Sequence, residues 1–265
     1  MFAIAIAMCT TNSIFAQQKG YKIVAIDEAP GRPMNAGRFA SAAPEAVKKY
    51  MPDGDAPASV TSFILFAGED TILFDTGTGN ELWVKKLTEA GVKPENVKYV
   101  FLTHMHGDHI GGLFQNNARR FPNAKVLCSK PEYEKLDKVK SAYGQDFTTF
   151  NFGDEVFANA LVKVKALDAV GHTPGHTAFW VESTKTEGEG LMIVGDLLHA
   201  VALQFPVPEA CASFDMDHEK AVATRKRILD EAAKGKYPIA GMHFPAPHMG
   251  KVEKNDQGGY VFRAN

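Results

Sequence analysis

The sequence predicts a layered α/β domain from three features: strand-like runs that precede helical ones in both halves, no internal repeat, and no low-complexity linker. Its 265 residues can bury a substantial core as one large domain or two small ones. Apolar, aromatic and charged fractions of 45%, 10% and 23% are those of an ordinary soluble globular protein, so composition points to no special class.

Residues 21–26 read as a first strand, followed by a Pro/Gly loop over 29–34. Residues 61–66 and 71–74 read as a hairpin joined by Ala67-Gly68-Glu69-Asp70, which delivers Asp75-Thr76-Gly77 to a turn. A helix follows. Asn80 suits its N-cap, Glu81 and Lys85 have i,i+4 spacing, Trp83, Val84 and Leu87 form its apolar face, and Gly91 ends it. The run Tyr99-Val100-Phe101-Leu102 predicts a buried strand and 125–128 the next, after which Ser129-Lys130-Pro131-Glu132 has capping-box spacing. In the second half, 162–167, 177–182 and 191–194 read as strands. Asp217 caps a long helix with Ala221, Val222, Ile228, Leu229 and Ala232 on its inner face and Gly235 at its end. Residues 237–240 read as the last core strand.

The chain is organised around Leu102-Thr103-His104-Met105-His106-Gly107-Asp108-His109-Ile110-Gly111-Gly112. Three histidines and an aspartate within six residues follow an apolar strand, and the glycines allow a tight turn. Imidazoles and a carboxylate brought to one point at a strand end suit zinc or a similar divalent ion. Four such residues at this spacing are hard to obtain by chance, so the stretch is read as a metal site.

Charge excludes other classes. Lys and Arg total 29 against 31 acids, a net charge of −2 with no basic tract, which argues against nucleic acid or an anionic membrane as the main partner. A small-molecule substrate held at a local site is expected instead. Residues 1–18 carry no charged side chain, and Ser13-Ile14-Phe15-Ala16 before Gln17 resembles a cleavage region. The apolar run is too short to span a bilayer, so no stable membrane insertion is expected. Residues 1–16 are read as a signal peptide, possibly incomplete because it lacks a basic start, leaving residues 17–265 as one domain in a periplasmic or secreted protein. Without export it would be cytoplasmic. Cys128 and Cys211 remain after such a cleavage and are read as structural, having no ligand spacing.

The motif His-x-His-x-Asp-His after an apolar strand resembles the signature of the metallo-β-lactamase superfamily. Three later stretches add to the resemblance: Gly171-His172-Thr173-Pro174-Gly175-His176, Val194-Gly195-Asp196, and Met242-His243 after the last strand. The resemblance implies a four-layer αβ/βα sandwich with two divalent metal ions at one edge of paired sheets, zinc first, with iron or manganese as other occupants. By position it assigns His104, His106 and His176 to one ion and Asp108, His109 and His243 to the second, with Asp196 shared. It implies a metal-bridging hydroxide that attacks a carbonyl or phosphoryl centre, with Asp196 holding the pair and Asp108 able to hand a proton to the leaving group. Asp75 would support the ligand loops by hydrogen bonding. His172 is read as a structural partner and His199 as reaching the substrate or, equally, as a surface group or a support behind a ligand, while His218 and His248 are given no role.

The stretches from Val194 to Pro206 and Phe214-Asp215-Met216-Asp217 look similar to the branch containing methyl parathion hydrolase and related lactonases. After Asp196 the chain runs through Val201, Leu203, Phe205, Pro206 and Val207 to Phe214 without a Lys or Arg, and Phe244-Pro245-Ala246-Pro247 after His243 is also uncharged. An apolar rim and a neutral ester, lactone or phosphotriester substrate are therefore expected. The alternatives are an iron-dependent oxidoreductase of the same fold, a β-lactamase, and a non-catalytic metal-binding module.

Overall fold

Alternation along the strands builds the architecture. In Val162–Asp168, Val162, Val164 and Ala166 are buried while Lys163 and Lys165 face solvent, so one face of the strand enters a core. The computed structural model describes Ile14–Phe15 and residues 20–264. The expected signal segment, with Cys9, lies outside the described residues apart from Ile14–Phe15, whose backbone pairs with Tyr21–Asp27.

Two seven-stranded sheets divide the chain in sequence order. In the first, Tyr21–Asp27, Thr61–Ala67 and Asp70–Phe74 run antiparallel, then Val97–Phe101, Lys125–Ser129 and Phe147–Phe150 join in parallel. In the second, Glu155–Ala158, Val162–Asp168, Thr177–Ser183 and Gly190–Ile193 form an antiparallel set. Pro238–Ala240 pairs parallel to Gly190–Ile193 and is followed by Met249–Lys254 and Tyr260–Ala264. These two strands extend the sheet beyond residues 237–240, where the sequence placed its last strand.

The sheets face each other across Phe63, Phe74 and Phe101 from one side and Val164, Phe179, Val181 and Ile193 from the other. Outside the first sheet, helices Glu81–Glu89 and Asp137–Tyr143 contribute Trp83, Leu87, Val139 and Tyr143 to a second core. Outside the second, His218–Gly235 contributes Ile228, Leu229 and Ala232 to a third. The result is the four-layer αβ/βα sandwich. Among the described residues no helix is long and apolar enough to cross a membrane.

Local differences have physical reasons. The expected loop over 29–34 is partly strand: Arg32–Asn35 pairs antiparallel with Asp55–Ala58, and this ribbon lies over the edge of the sandwich with its own apolar cluster of Phe39, Met51, Leu203 and Ala212. The first hairpin closes on Gly68-Glu69 alone, because Ala67 and Asp70 already pair and Gly68 supplies a positive φ. Asn80 caps its helix by accepting from the Trp83 amide, but Lys85 meets Glu89 rather than Glu81. Ser129 stands at the N-cap of Lys130–Tyr133 without a capping bond. Its hydroxyl donates to the Gly175 carbonyl instead, and Glu132 turns to Thr173 and Gly175. A capping box was given up to brace a distant loop.

Phe179 is fully buried and its ring meets Phe74, Phe101 and Phe150 at 5.3 to 5.8 Å between centroids. It joins the sheets. Phe179→Ala is expected to cost ~3–5 kcal/mol, read as a lowered urea midpoint at unchanged slope.

Candidate metal centre

The strand Val97–Phe101 ends at one edge of the sandwich, and the turn after it brings Thr103, His104 and His106 to that edge before Gly107–Ile110 winds one helical turn carrying Asp108 and His109. Glycine is required here for packing. A Cβ on Gly112 would sit 2.1 Å from the Thr76 carbonyl oxygen, and one on Gly111 2.4 Å from that of Thr78. The loop after Asp70–Phe74 can therefore lie directly against the histidine turn. Asp75, at φ +57°, points its fully buried carboxylate into that contact. It accepts from the Thr103 amide at 2.8 Å, the Thr103 hydroxyl at 2.7 Å and His109 Nδ1 at 2.7 Å. This is the loop-bracing place expected for Asp75.

Across the edge, the second sheet contributes His172, Asp196, His199 and His243. Nitrogen or oxygen atoms of His104, His106, His172 and Asp196 all lie within 4.8 Å of one another, as do those of Asp108, His109 and His243. His104 Nε2 and His172 Nε2 each stand 2.9 Å from His106 Nδ1. Asp196 lies between the groups: Oδ1 is 3.2 Å from His109 Nε2, and Oδ2 is 3.1 Å from His243 Nε2, 3.4 Å from His172 Nε2 and 3.6 Å from His104 Nε2.

Two expectations change places here. His176, expected in the cluster, is turned away: its Nδ1 meets the Ala169 carbonyl at 2.8 Å and its Nε2 accepts the Asp196 amide at 2.9 Å. His172, expected to be structural, occupies the cluster with Nδ1 against Asp215 at 2.9 Å. Both histidines sit in one turn, and their outer partners decide which ring points inward. His176 instead holds the backbone of Asp196. His218 has no place in the cluster. His248 packs nearby with Nδ1 on the Phe244 carbonyl and Nε2 3.6 Å from Asp27.

The donor set fits a cation. The Thr103 hydroxyl gives its proton to Asp75, so at 3.0 Å it accepts from His104 Nδ1. His109 Nδ1 donates to Asp75, His172 Nδ1 to Asp215 and His243 Nδ1 to the Ser59 carbonyl. Each neutral ring then presents an Nε2 lone pair inward. His109 Nε2 and Asp196 Oδ1 are buried with no hydrogen-bond partner, an arrangement that calls for a positive charge between them. Protonation follows the same logic. Burial works against charge on His109 and His243, but Asp196 together with Asp75 at His109 and Asp108 at His243 outweighs it and holds their protons above the ordinary histidine range. Burial would raise the Asp196 carboxyl, yet His109, His243 and His104 hold it well below the usual range. Burial pushes His104 down strongly and His176 to about 3. The cluster favours positive charge beside Asp196, as proton or as metal ion.

Three supports were given no part in the site by the sequence reading. Glu132, read there only as part of a capping box, is buried and its Oε1 accepts from the Thr173 hydroxyl and the Gly175 amide, bracing the turn that carries His172. Asp215, within the resemblance stretch Phe214-Asp215-Met216-Asp217, orients His172. Arg225, on the long helix and 1% exposed, donates to the carbonyls of Leu197, Pro208 and Ala210 and pairs with Asp215 at 3.4 Å. Its type and helix position alone gave no signal of this.

A cavity of about 160 Å³ opens over the cluster, lined by His106, Asp108, His172, Asp196, His199 and His243 on its floor and by Arg32, Pro33, Met34, Ala58, Ser59 and Phe214 around its wall. The expected apolar rim is corrected on two counts. Phe205 and Phe244 pack on each other and on Phe262 beneath the loop, not in the mouth. The wall also contains a cation, Arg32. Cys128 and Cys211 are buried free thiols away from it.

Two outcomes are expected. Burial would raise Asp215, but the His172 hydrogen bond, with His199 and Arg225 nearby, takes its pKa down to about 2. A depressed carboxyl stabilises the fold above its ordinary pKa near 4 and loses that contribution as pH falls toward 2. Asp215→Asn should therefore cost on the order of 2 kcal/mol at neutral pH in metal-free protein and flatten the acid limb of a urea-stability profile between about pH 4 and 2. His172→Ala should weaken zinc binding more than His176→Ala, which should cost ~10–100-fold as an outer support. Competition with a chromophoric chelator measures both, and the reverse order would return His176 to the cluster.

The family model described as the Metallo-beta-lactamase superfamily matches residues 55–236. An atrochrysone carboxyl ACP thioesterase from Pseudocercospora fijiensis (strain CIRAD86) is 33% identical over 141 residues, 53% of this chain and 39% of that protein. An N-acyl homoserine lactonase from Bacillus cereus is 28% identical over 153 residues, 57% of each chain. The chain thus spans about two-fifths to three-fifths of the length of these curated relatives. The crystal structure of hydrolase AbOPH in the beta lactamase superfamily is similar at TM-score 0.82 and 26% identity, covering 96% of this chain and 97% of the other.

Proposed function

Because this chain belongs to the metallo-β-lactamase superfamily, we propose that it is a two-metal hydrolase that cleaves a carboxylic ester or lactone. One observation carries this reading: two donor groups converge on Asp196, whose Oδ1 and the facing His109 Nε2 have no hydrogen-bond partner, beneath an open cavity. The thioesterase and lactonase relatives support acyl chemistry at such a centre.

His104, His106 and His172 would hold one ion, Asp108, His109 and His243 the second, and Asp196 both. Two divalent ions there supply a water with its pKa lowered toward neutrality and a Lewis acid for the scissile carbonyl. The protein supplies order. Asp75, Asp215 and the Ser59 carbonyl fix the rings of His109, His172 and His243, so little reorganisation is needed when charge develops. Asp108 is the carboxylate left partly open to the cavity, with 30% of its side chain exposed, and is placed to carry a proton to the departing oxygen. His199 Nε2 lies 3.1 Å from Asp196 Oδ2, and its Nδ1 is buried without a partner. Phe214 packs edge-on against His172 and His199, with centroids 5.9 and 4.5 Å apart, and excludes water from that side.

Protein purified without added metal is expected to carry about two ions per chain, with zinc indicating a hydrolase and iron the oxidoreductase alternative. On a panel of aryl esters, lactones, phosphotriesters and β-lactams, esters or lactones should turn over best. Activity should vanish with a chelator and return with zinc, cobalt or manganese. Asp196→Asn, which keeps volume but removes charge, should lower metal occupancy and turnover by at least ~10–100-fold. Undiminished hydrolysis by metal-stripped protein would end this reading.

A further inference from the structure

Apart from His243, the metal-binding floor lies within the family match, but half of the wall does not. The match begins at residue 55, whereas Arg32, Pro33 and Met34 precede it. These residues belong to Arg32–Asn35, which pairs with Asp55–Ala58 in a separate two-stranded ribbon. The register places Arg32 opposite Ala58, which also lines the cavity. Ser59 comes next, and its carbonyl accepts from His243 Nδ1 at 2.8 Å. A short ladder therefore ties Arg32 to a ligand-bearing segment.

Among the described residues, Arg32 is the sole Lys or Arg lining this cavity. Its guanidinium makes no ion pair or hydrogen bond among the described residues, unlike Arg225, each of whose three guanidinium nitrogens donates to a nearby oxygen. Exposed arginines without partners are common, and water satisfies them. This one differs by its place: it is exposed on the wall of the cavity that lies over the metal-binding cluster, where its charge meets whatever enters. A planar fork of donors in that setting matches a carboxylate or another oxyanion.

We propose that the substrate carries an anionic group remote from the bond that is cut, and that Arg32 holds this group at the wall of the cavity. The proposal rests on the hydrolase reading above and narrows its substrate class. It also revises the neutral substrate expected from the uncharged segments after Asp196 and His243. Those segments are uncharged, but the cation comes from the other end of the chain. The cavity of about 160 Å³ takes the reacting centre and a short chain, leaving the far end of the substrate at the wall.

The test uses two 4-nitrophenyl esters of matched acyl length on metal-loaded full-length protein: the pentanoate, which ends in a methyl group, and the glutarate monoester, which ends in a carboxylate. Wild type should prefer the glutarate ester. Arg32→Gln should lower the ratio of kcat/KM for glutarate over pentanoate by ~10-fold or more, mostly through KM, as expected for loss of a charge-assisted hydrogen bond. Arg32→Lys should restore part of the ratio, and Arg32→Glu should reverse it. Raising the salt concentration should shrink the preference in wild type and not in Arg32→Gln. An equal fall on both esters, or a wild-type preference for the pentanoate, overturns the proposal. Calorimetric binding of glutaramate, an uncleaved amide of the same length, gives a readout independent of turnover. Weaker binding to Arg32→Gln than to wild type supports the anion site even if neither ester is cleaved, a result that would count against the hydrolase reading alone. Equal binding overturns the anion site.

Discussion

The buried Asp75 carboxylate holds together the part of the molecule on which the rest of the site depends. It accepts three hydrogen bonds, two from Thr103 and one from His109, from the two ends of the histidine turn. An ionised carboxylate taken from water costs several kcal/mol unless its oxygens are satisfied, so this contact exists only when the turn has its native shape. The dependence runs both ways. Close approach at Gly111 and Gly112 lets the Asp75 loop reach the turn, and Asp75 then fixes which nitrogen of His109 faces inward.

The same device recurs around the centre. Asp215 fixes His172 and is itself held by the Ala212 amide and Arg225. Glu132, in the helical turn after Lys125–Ser129, accepts from the Thr173 hydroxyl and the Gly175 amide, and burial pushes its carboxyl up despite those bonds. His176 does for the Asp196 amide what the carboxylates do for the rings. Glu132 joins the two halves of the chain, whereas Asp75, Asp215 and His176 each brace one half, and the donor groups come together only where both sheets meet. Gln204 adds to the order by accepting from the His199 and Ala200 amides while donating to the Ala210 carbonyl.

Floor and wall answer to different constraints. The floor must place several lone pairs around a shared carboxylate, which demands buried, braced side chains. The wall needs only to meet a substrate, and it is made from a short ribbon and a loop whose side chains are less constrained. Substrate choice can therefore change through residues such as Arg32 and Met34 without disturbing the ligands.

The sequence alone determined the strand-then-helix order, the caps at Asn80 and Asp217, and the clustering of His104, His106, Asp108 and His109, because each depends on residues close together in the chain. Periodicity and spacing are local properties, and local physics reads them. The sequence reading placed His176 among the ligands and His172 outside them, and the structure has them the other way round. Both occupy the same turn, and the choice rests on Asp215, 43 residues from His172, and on the carbonyl of Ala169 and the amide of Asp196 beside His176. The sequence could not show that Ser129 and Glu132 would leave their capping box, that Phe205 and Phe244 would pack inward, or that Arg32 would line the cavity. Those outcomes follow from which surfaces meet when the two sheets close, and hydrogen-bond partners separated by tens or hundreds of residues are decided only there.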